Sequence, residues 1–274
     1  MNSLLNDKII PYDQASLHVS DLSILRGVGI FDFFRLRGHM PLFMDDHLDR
    51  FFYSAEKVYG VLWFSRAWLR EQIVKLIGLN NMPESGIRIV LTGGYSADAY
   101  TIEKPNLIIT QEPIKFPRQE HYQEGVKLIT HNYTRDLPEI KTINYLVGIS
   151  LQKEIAKEGA YDVLYHEHGK VSELTRSNIF FITIDDQLVT PKINILKGVT
   201  RKKVIQLAEN HMAVCEKDIT LEELPYMQEA FLTGTTKKIL PVTQVDNITI
   251  GQGVPGSATL KLMSKFEQLV DQEL

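Results

Sequence analysis

Leu137-Pro138-Glu139-Ile140-Lys141-Thr142-Ile143-Asn144-Tyr145-Leu146 is the stretch whose reading decides the fold of this chain. Lys141 is followed by small and polar residues and then by a predicted helix. A lysine attacks a carbonyl compound only when its amine is held neutral, so its surroundings must disfavour the ammonium. Such a site needs a loop or strand end to present the amine, and a carboxylate further on to manage the partner charge. Glu173 meets the second need, in Val171-Ser172-Glu173-Leu174-Thr175-Arg176-Ser177-Asn178-Ile179-Phe180, between two apolar strand-like runs. Taken alone, Lys141 is an ordinary solvated lysine and Glu173 an exposed strand acid.

Outward from that stretch, the pattern predicts two α+β domains. In the first half, Phe31 to Arg37 and Pro41 to Met44 flank Gly38-His39, a hairpin signal. Asp45-Asp46 opens a helix that runs to Tyr59 and stops at Gly60, its acidic start matched to the N-terminal dipole. Ser65 caps a second helix that reaches Ile77 and is expected to end at Gly78. Gly86 to Leu91 and Asn106 to Thr110 read as buried strands.

Pro113, Pro117 and the charges between them mark a linker. In the second half Gly125 to His131 reads as a strand, followed by the lysine loop and one helix from Asn144 to Lys157. Two hairpin signals follow, at His166-Glu167-His168-Gly169 and at Asp185-Asp186-Gln187. Val199 to His211 carries an amphipathic helical spacing, and a last helix covers Ala258 to Leu269. The expected division is a smaller α/β domain over 1–114, a linker over 115–122 and a larger domain over 123–274. Regular strand–helix alternation is missing, which argues against a doubly wound parallel sheet.

Composition narrows the function. The chain has 274 residues, 44% hydrophobic and 23% charged, and is long enough for a sizeable core. Thirty Lys+Arg against 34 Asp+Glu give a net charge of −4 with no basic block, which disfavours nucleic-acid binding. One cysteine, Cys215, excludes an intrachain disulfide and suits a reducing cytoplasm. No signal peptide is read at the start, and the apolar runs are too short for a membrane span. His166 and His168 share a strand face without a third ligand nearby in sequence, so no metal is expected.

Six segments in order resemble the class IV (fold type IV) pyridoxal-phosphate-dependent aminotransferases. They are Arg26-Gly27-Val28-Gly29-Ile30-Phe31-Asp32, His47-Leu48-Asp49-Arg50 with Ser54-Ala55-Glu56, and the Lys141 and Glu173 motifs. The last two are Ile195-Leu196-Lys197-Gly198-Val199-Thr200-Arg201 and Phe231-Leu232-Thr233-Gly234-Thr235-Thr236. The resemblance implies an α+β, two-domain fold type IV enzyme that binds pyridoxal 5'-phosphate in its larger domain. Lys141 would then bind the cofactor and move the Cα proton. Glu173 would face the pyridine nitrogen, Leu196 pack on the ring and Tyr145 bond its phenolic oxygen. The phosphate would lie on Val199 and Thr200 at a helix start, on Thr235 and Thr236, and on Arg50. A homodimer is implied as well.

The family's usual carboxylate-binding residues are missing. Enzymes of the D-alanine type place Arg-x-His in the loop that corresponds to Thr92–Tyr100, and branched-chain enzymes carry a Tyr-x-Arg; that loop holds neither pattern. Arg26 and Arg176 are the candidate replacements, one of them contributed across a dimer interface, with Phe31 lining the substrate pocket. The expected activity is transamination between an amino acid and a 2-oxo acid. The short Lys-Thr-Ile-Asn spacing leans toward D-amino acids with 2-oxoglutarate as acceptor, and Tyr145 toward branched-chain L-amino acids. An aminodeoxychorismate lyase on the same cofactor and a non-catalytic binding protein are the rival classes.

Overall fold

The computed structural model describes residues 1–273, which divide into two compact units. The first comprises Met1–Ile114 together with Ile140–Asn144, and the second Lys115–Glu139 and Tyr145–Gln272. The lysine segment therefore leaves the unit expected from its place in the sequence. The cause is packing: the Ile140 side chain is buried in the first unit's core, and its neighbours extend that unit's sheet.

The first unit holds β1 (Asn2–Leu5), β2 (Lys8–Pro11), α1 (Leu22–Arg26), β3 (Gly29–Arg37), β4 (Met40–Pro41), α2 (Met44–Tyr59), α3 (Arg66–Asn80), β5 (Ser85–Thr92) and β6 (Leu107–Pro113). Its strands form an antiparallel sheet in the order β2-β1-β6-β5-β3-β4. Side chains alternate across β3, so Ile30, Asp32, Phe34 and Leu36 are fully buried on one face. Ile30, Phe34 and Leu36 pack there with Leu48 and Phe51 of α2 and Leu69, Ile73 and Leu76 of α3. Phe31 and Phe33 are left on the opposite face. The Ser65 hydroxyl caps α3 by accepting from Trp68 N at 3.2 Å. The helix runs past Gly78 and stops at Asn81 (φ +50), because burial of Leu76 and Ile77 outweighs the roughly 1 kcal/mol cost of a mid-helix glycine.

In the second unit α4 (Gln119–Glu124) occupies the end of the expected linker and precedes β7 (Val126–Asn132). The single helix expected after the lysine loop is two, α5 (Leu146–Ser150) and α6 (Gln152–Lys157), separated only by buried Leu151. Then come β8 (Asp162–Glu167), β9 (Lys170–Leu174), β10 (Asn178–Ile182), β11 (Leu188–Pro191), α7 (Val199–Ala208) and β12 (Val214–Lys217). β13 (Glu229–Gly234), β14 (Lys238–Val245), β15 (Ile248–Thr249) and α8 (Ser257–Gln272) complete it.

The nine-stranded sheet runs β12-β11-β10-β13-β14-β7-β8-β9, with β15 on β14. Three of its pairings are parallel, β11–β12, β14–β7 and β7–β8. Asn178 of β10 pairs with Glu173 of β9, which closes six strands into a ring and puts the glutamate at the closure. The connecting turn is tight, Leu174 N donating to Ser177 O at 2.8 Å, and its tip exposes Arg176. Among the described residues no helix is long and apolar enough to cross a membrane.

Candidate active site

Lys141 lies beside the first residues of β3 as a short added strand. Phe31 N donates to Lys141 O at 2.9 Å, Ile143 N donates to Gly29 O at 3.0 Å, and Ile30 bridges Thr142. Gly29 makes this approach possible, since a Cβ there would stand 2.7 Å from the Ile143 side chain. The Lys141 Nζ atom sits 4.4 Å from the centroid of the Phe31 ring. That ring also lies under the Arg88 guanidinium at 5.4 Å, and Arg88 stacks on Phe33 at 5.0 Å while pairing with Glu112. Phe31 thus joins the lysine to an arginine that the sequence reading passed over.

On the other face of β3, Asp32 is fully buried and gathers two side chains from one face of α2, three residues apart. Arg50 grips it with Nε at 2.8 Å and Nη2 at 2.8 Å, a two-pronged pair that leaves Nη1 without a partner among the described residues. The His47 Nδ1 atom lies 2.7 Å from Asp32 Oδ1, and since an ionised carboxylate can only accept, Nδ1 is the donor. Burial opposes the Asp32 charge, but the Arg50 charge and the His47 contact overcome it and hold the carboxyl far below the carboxylate range. Burial also pushes His47 down and outweighs Asp32, with Arg50 and Lys141 adding to the push, so the imidazole is neutral. Asp32 and His47 lay inside quoted motifs but had no role; a half-polar strand that places Asp between buried Ile and Phe was the available signal.

Glu173 is buried, with 5% of its surface exposed, and is matched by a residue the sequence reading missed. Arg135 Nε donates to Oε1 at 2.7 Å, and Arg135 Nη2 donates to Pro138 O. Leu196 N donates to Oε2 at 2.9 Å. A buried carboxylate demands a buried cation, and Arg135 stands on the strand exit that leads to the lysine motif.

Leu196 opens the first glycine loop. Asn178 Nδ2 donates to Leu196 O at 2.8 Å, and a Cβ on Gly198 would come 2.2 Å from Asn178 Oδ1. Asn178 and Gly198 together set the start of α7, whose N-cap carries no side-chain cap. The backbone N–H groups of Val199 and Thr200 and the Thr200 hydroxyl therefore face an uncapped positive helix end, a setting that suits a phosphate. Thr235 and Thr236 follow Gly234 in the half-buried turn between β13 and β14.

Tyr145 opens α5 and lines a cavity of about 540 Å³ with Gln152, Tyr161, Asp162, Arg176 and Lys237. Buried Lys237 pairs with Asp162 at 2.8 Å and donates to Ser177 at 2.9 Å, whereas Arg176 forms no ion pair among the described residues. Arg26, the last residue of α1, is exposed and bonds the Leu25 carbonyl at 2.9 Å. Within single units, then, Lys141 is brought to Phe31, Glu173 to Leu196, and Tyr145 to Arg176.

The family model described as amino-transferase class IV matches residues 29–245, and the chain belongs to that family. It is 29% identical over 280 residues to a D-alanine aminotransferase of Bacillus licheniformis, covering 100% of this chain and 98% of that one. It is 30% identical over 281 residues to a putative branched-chain-amino-acid aminotransferase of Methanocaldococcus jannaschii, covering 98% and 96%. The branched-chain amino acid aminotransferase structure from Escherichia coli superposes with a TM-score of 0.89 at 25% identity, over 98% of this chain and 94% of that one. The fold is that of the fold type IV enzymes, and the protein is a pyridoxal-phosphate-dependent aminotransferase with amino acid and 2-oxo acid substrates.

Proposed function

We propose that this aminotransferase acts on D-amino acids with 2-oxoglutarate as acceptor, as a cytoplasmic homodimer. When bound, the cofactor supplies the electron sink that lets Cα give up its proton. Lys141 would hold the cofactor, and its amine would move the proton at the substrate Cα. Glu173, its charge compensated by Arg135, would face the pyridine nitrogen and favour its protonated form. Arg50, positioned by Asp32, would hold the phosphate together with N–H and hydroxyl groups of Val199, Thr200, Thr235 and Thr236. Leu196 would pack on the ring, Tyr145 would bond the phenolic oxygen, and Phe31 would wall the substrate side.

The substrate carboxylate falls to Arg26 and Arg176. One observation carries this assignment: both guanidinium groups are exposed and lack an acidic partner among the described residues, unlike Arg50, Arg88, Arg135 and Arg201. Full-length similarity to a D-alanine aminotransferase supports the D-specific reading. Branched-chain L-amino acids are the second reading, favoured by Tyr145 and by the archaeal relative. Coupled assays with D-alanine, D-glutamate and L-leucine against 2-oxoglutarate separate the two. Turnover of L-leucine alone would sink the D-specific reading. Pyruvate release from aminodeoxychorismate without an acceptor would replace both with a lyase.

A further inference from the structure

Asp21 is fully buried, no cation pairs with it among the described residues, and the mechanism above does not use it. Its Oδ1 accepts from Ser23 N at 2.8 Å and so caps α1, the helix that ends at Arg26. Its Oδ2 accepts from the hydroxyl of Thr92, the last residue of β5, at 2.7 Å and from Nδ2 of Asn106, the residue just before β6, at 2.8 Å. Burial works against the Asp21 charge, and the donors Ser23, Asn106 and Thr92 outweigh it, so the carboxyl stays below its usual range.

The backbone repeats the same connection. Leu22 N donates to Gly94 O at 2.9 Å, Gly93 N donates to Val28 O at 3.0 Å, and Asp21 bridges Tyr95. Two glycines allow this closeness: a Cβ on Gly93 would meet Leu22 at 2.7 Å, and one on Gly94 (φ +76) would meet the Lys104 carbonyl at 1.9 Å. Beyond Tyr95 the loop is knotted by Asp98, which accepts from Ser96 Oγ at 2.8 Å and from the backbone of Tyr100 at 2.9 Å and Thr101 at 2.7 Å. On the outer side, α1 has five residues, three of them exposed (Ile24, Leu25 and Arg26). A helix that short does not hold its own shape, so the direction of Arg26 is set by its anchor.

We propose that Asp21 is the positioning residue of substrate-carboxylate binding, locking Arg26 and the loop 93–101 into one element. This rests on the assignment of Arg26 to the substrate carboxylate. The buried carboxylate touches the cap of α1, the end of β5 and the residue before β6 at once, so it fixes their mutual geometry. Misplacement of a binding group by about an ångström is enough to cost roughly ten- to hundred-fold in the use of substrate.

The test is Asp21→Asn, which keeps the shape but turns an amide donor toward the donors of Thr92 and Asn106. KM for the amino acid should rise roughly tenfold or more, with kcat and cofactor affinity within about twofold of wild type. Hydrogen exchange should accelerate together in residues 22–28 and 93–101. The polarity swap D21N/N106D restores one donor–acceptor pair and should bring KM back toward wild type. Thr92→Val, which removes a single donor, should give a smaller rise in KM and keeps the idea testable should D21N not fold. Arg26→Ala is measured beside them. If R26A raises KM while neither D21N nor T92V does, the positioning role is wrong and the role of Arg26 stands. If R26A leaves KM unchanged, the assignment of Arg26 fails and the proposal fails with it. Faster exchange in only one of the two segments would also overturn the proposal.

Discussion

Asp32→Ala removes the one carboxylate that compensates Arg50 inside the first unit. The Asp32 side chain is 0% exposed and that of Arg50 11%, so water has little access to the orphaned guanidinium. Breaking a buried pair from one side costs about 3–5 kcal/mol, because the remaining charge stays buried and unmatched. For a chain of this length each kcal/mol lowers Tm by about 2–4 °C, which gives a drop of about 6–20 °C. The assay is thermal unfolding followed by circular dichroism, with Arg50→Met and the double variant R50M/D32A measured beside it. If the cost comes from the stranded charge, R50M/D32A should melt above D32A, since removing both partners leaves nothing uncompensated. A D32A protein that melts within about 2 °C of wild type, or a double variant no better than D32A, would refute the reasoning.

The same cluster sets an acid limit. Neutral buried His47 binds fewer protons than its unfolded counterpart, so its contribution to stability is complete above about pH 6.5 and declines as pH falls below that value. Asp32, depressed by Arg50 and His47, contributes above about pH 3.9 and loses its share only as pH falls toward its folded value. Melting curves between pH 8 and pH 5 should therefore show a steeper loss in wild type than in His47→Asn; equal slopes would remove His47 from the account. Gly198→Ala must displace Asn178 from the Leu196 carbonyl, and a loss of about 1.4 kcal/mol in cofactor binding would raise Kd tenfold in a fluorescence titration. An unchanged Kd would show that the loop tolerates the methyl. Arg135→Met takes the guanidinium away from the buried Glu173 carboxylate and should cost about 3–5 kcal/mol in unfolding experiments. A variant as stable as wild type would mean that Glu173 does not need a cation.

Local signals were legible in the sequence wherever one residue's conformation decides an end. Gly60 and Ser65 mark helix boundaries, and His168-Gly169, both at positive φ, makes the hairpin between β8 and β9. Gly78 misled, since a glycine signals a stop only where packing does not carry the helix onward. The break at Leu151 left no trace because its residues are ordinary helix formers. Non-local pairing was the larger blind spot. Nothing in Ile140-Lys141-Thr142-Ile143 says that it will pair with Gly29 to Phe31, more than a hundred positions away, and leave the unit that surrounds it in sequence.

The candidate site divides in the same way. Lys141, Glu173 and the two glycine loops stand in short motifs, so order along the chain was enough to mark them. Asp32, His47 and Arg135 matter through partners on other elements, and only burial reveals that each buried polar group needs its match. Arg88 reads as an ordinary strand arginine until Phe31 is seen between it and Lys141.

The assignment of Lys141 is the centre of the account, and chemical trapping tests it most directly. The purified protein is loaded with pyridoxal phosphate, reduced with borohydride and digested, and the cofactor-bearing peptide is mapped by mass spectrometry. The account predicts the reduced cofactor on Lys141, and its disappearance in Lys141→Ala. Label on another lysine, such as buried Lys237, or no label at all, would contradict it.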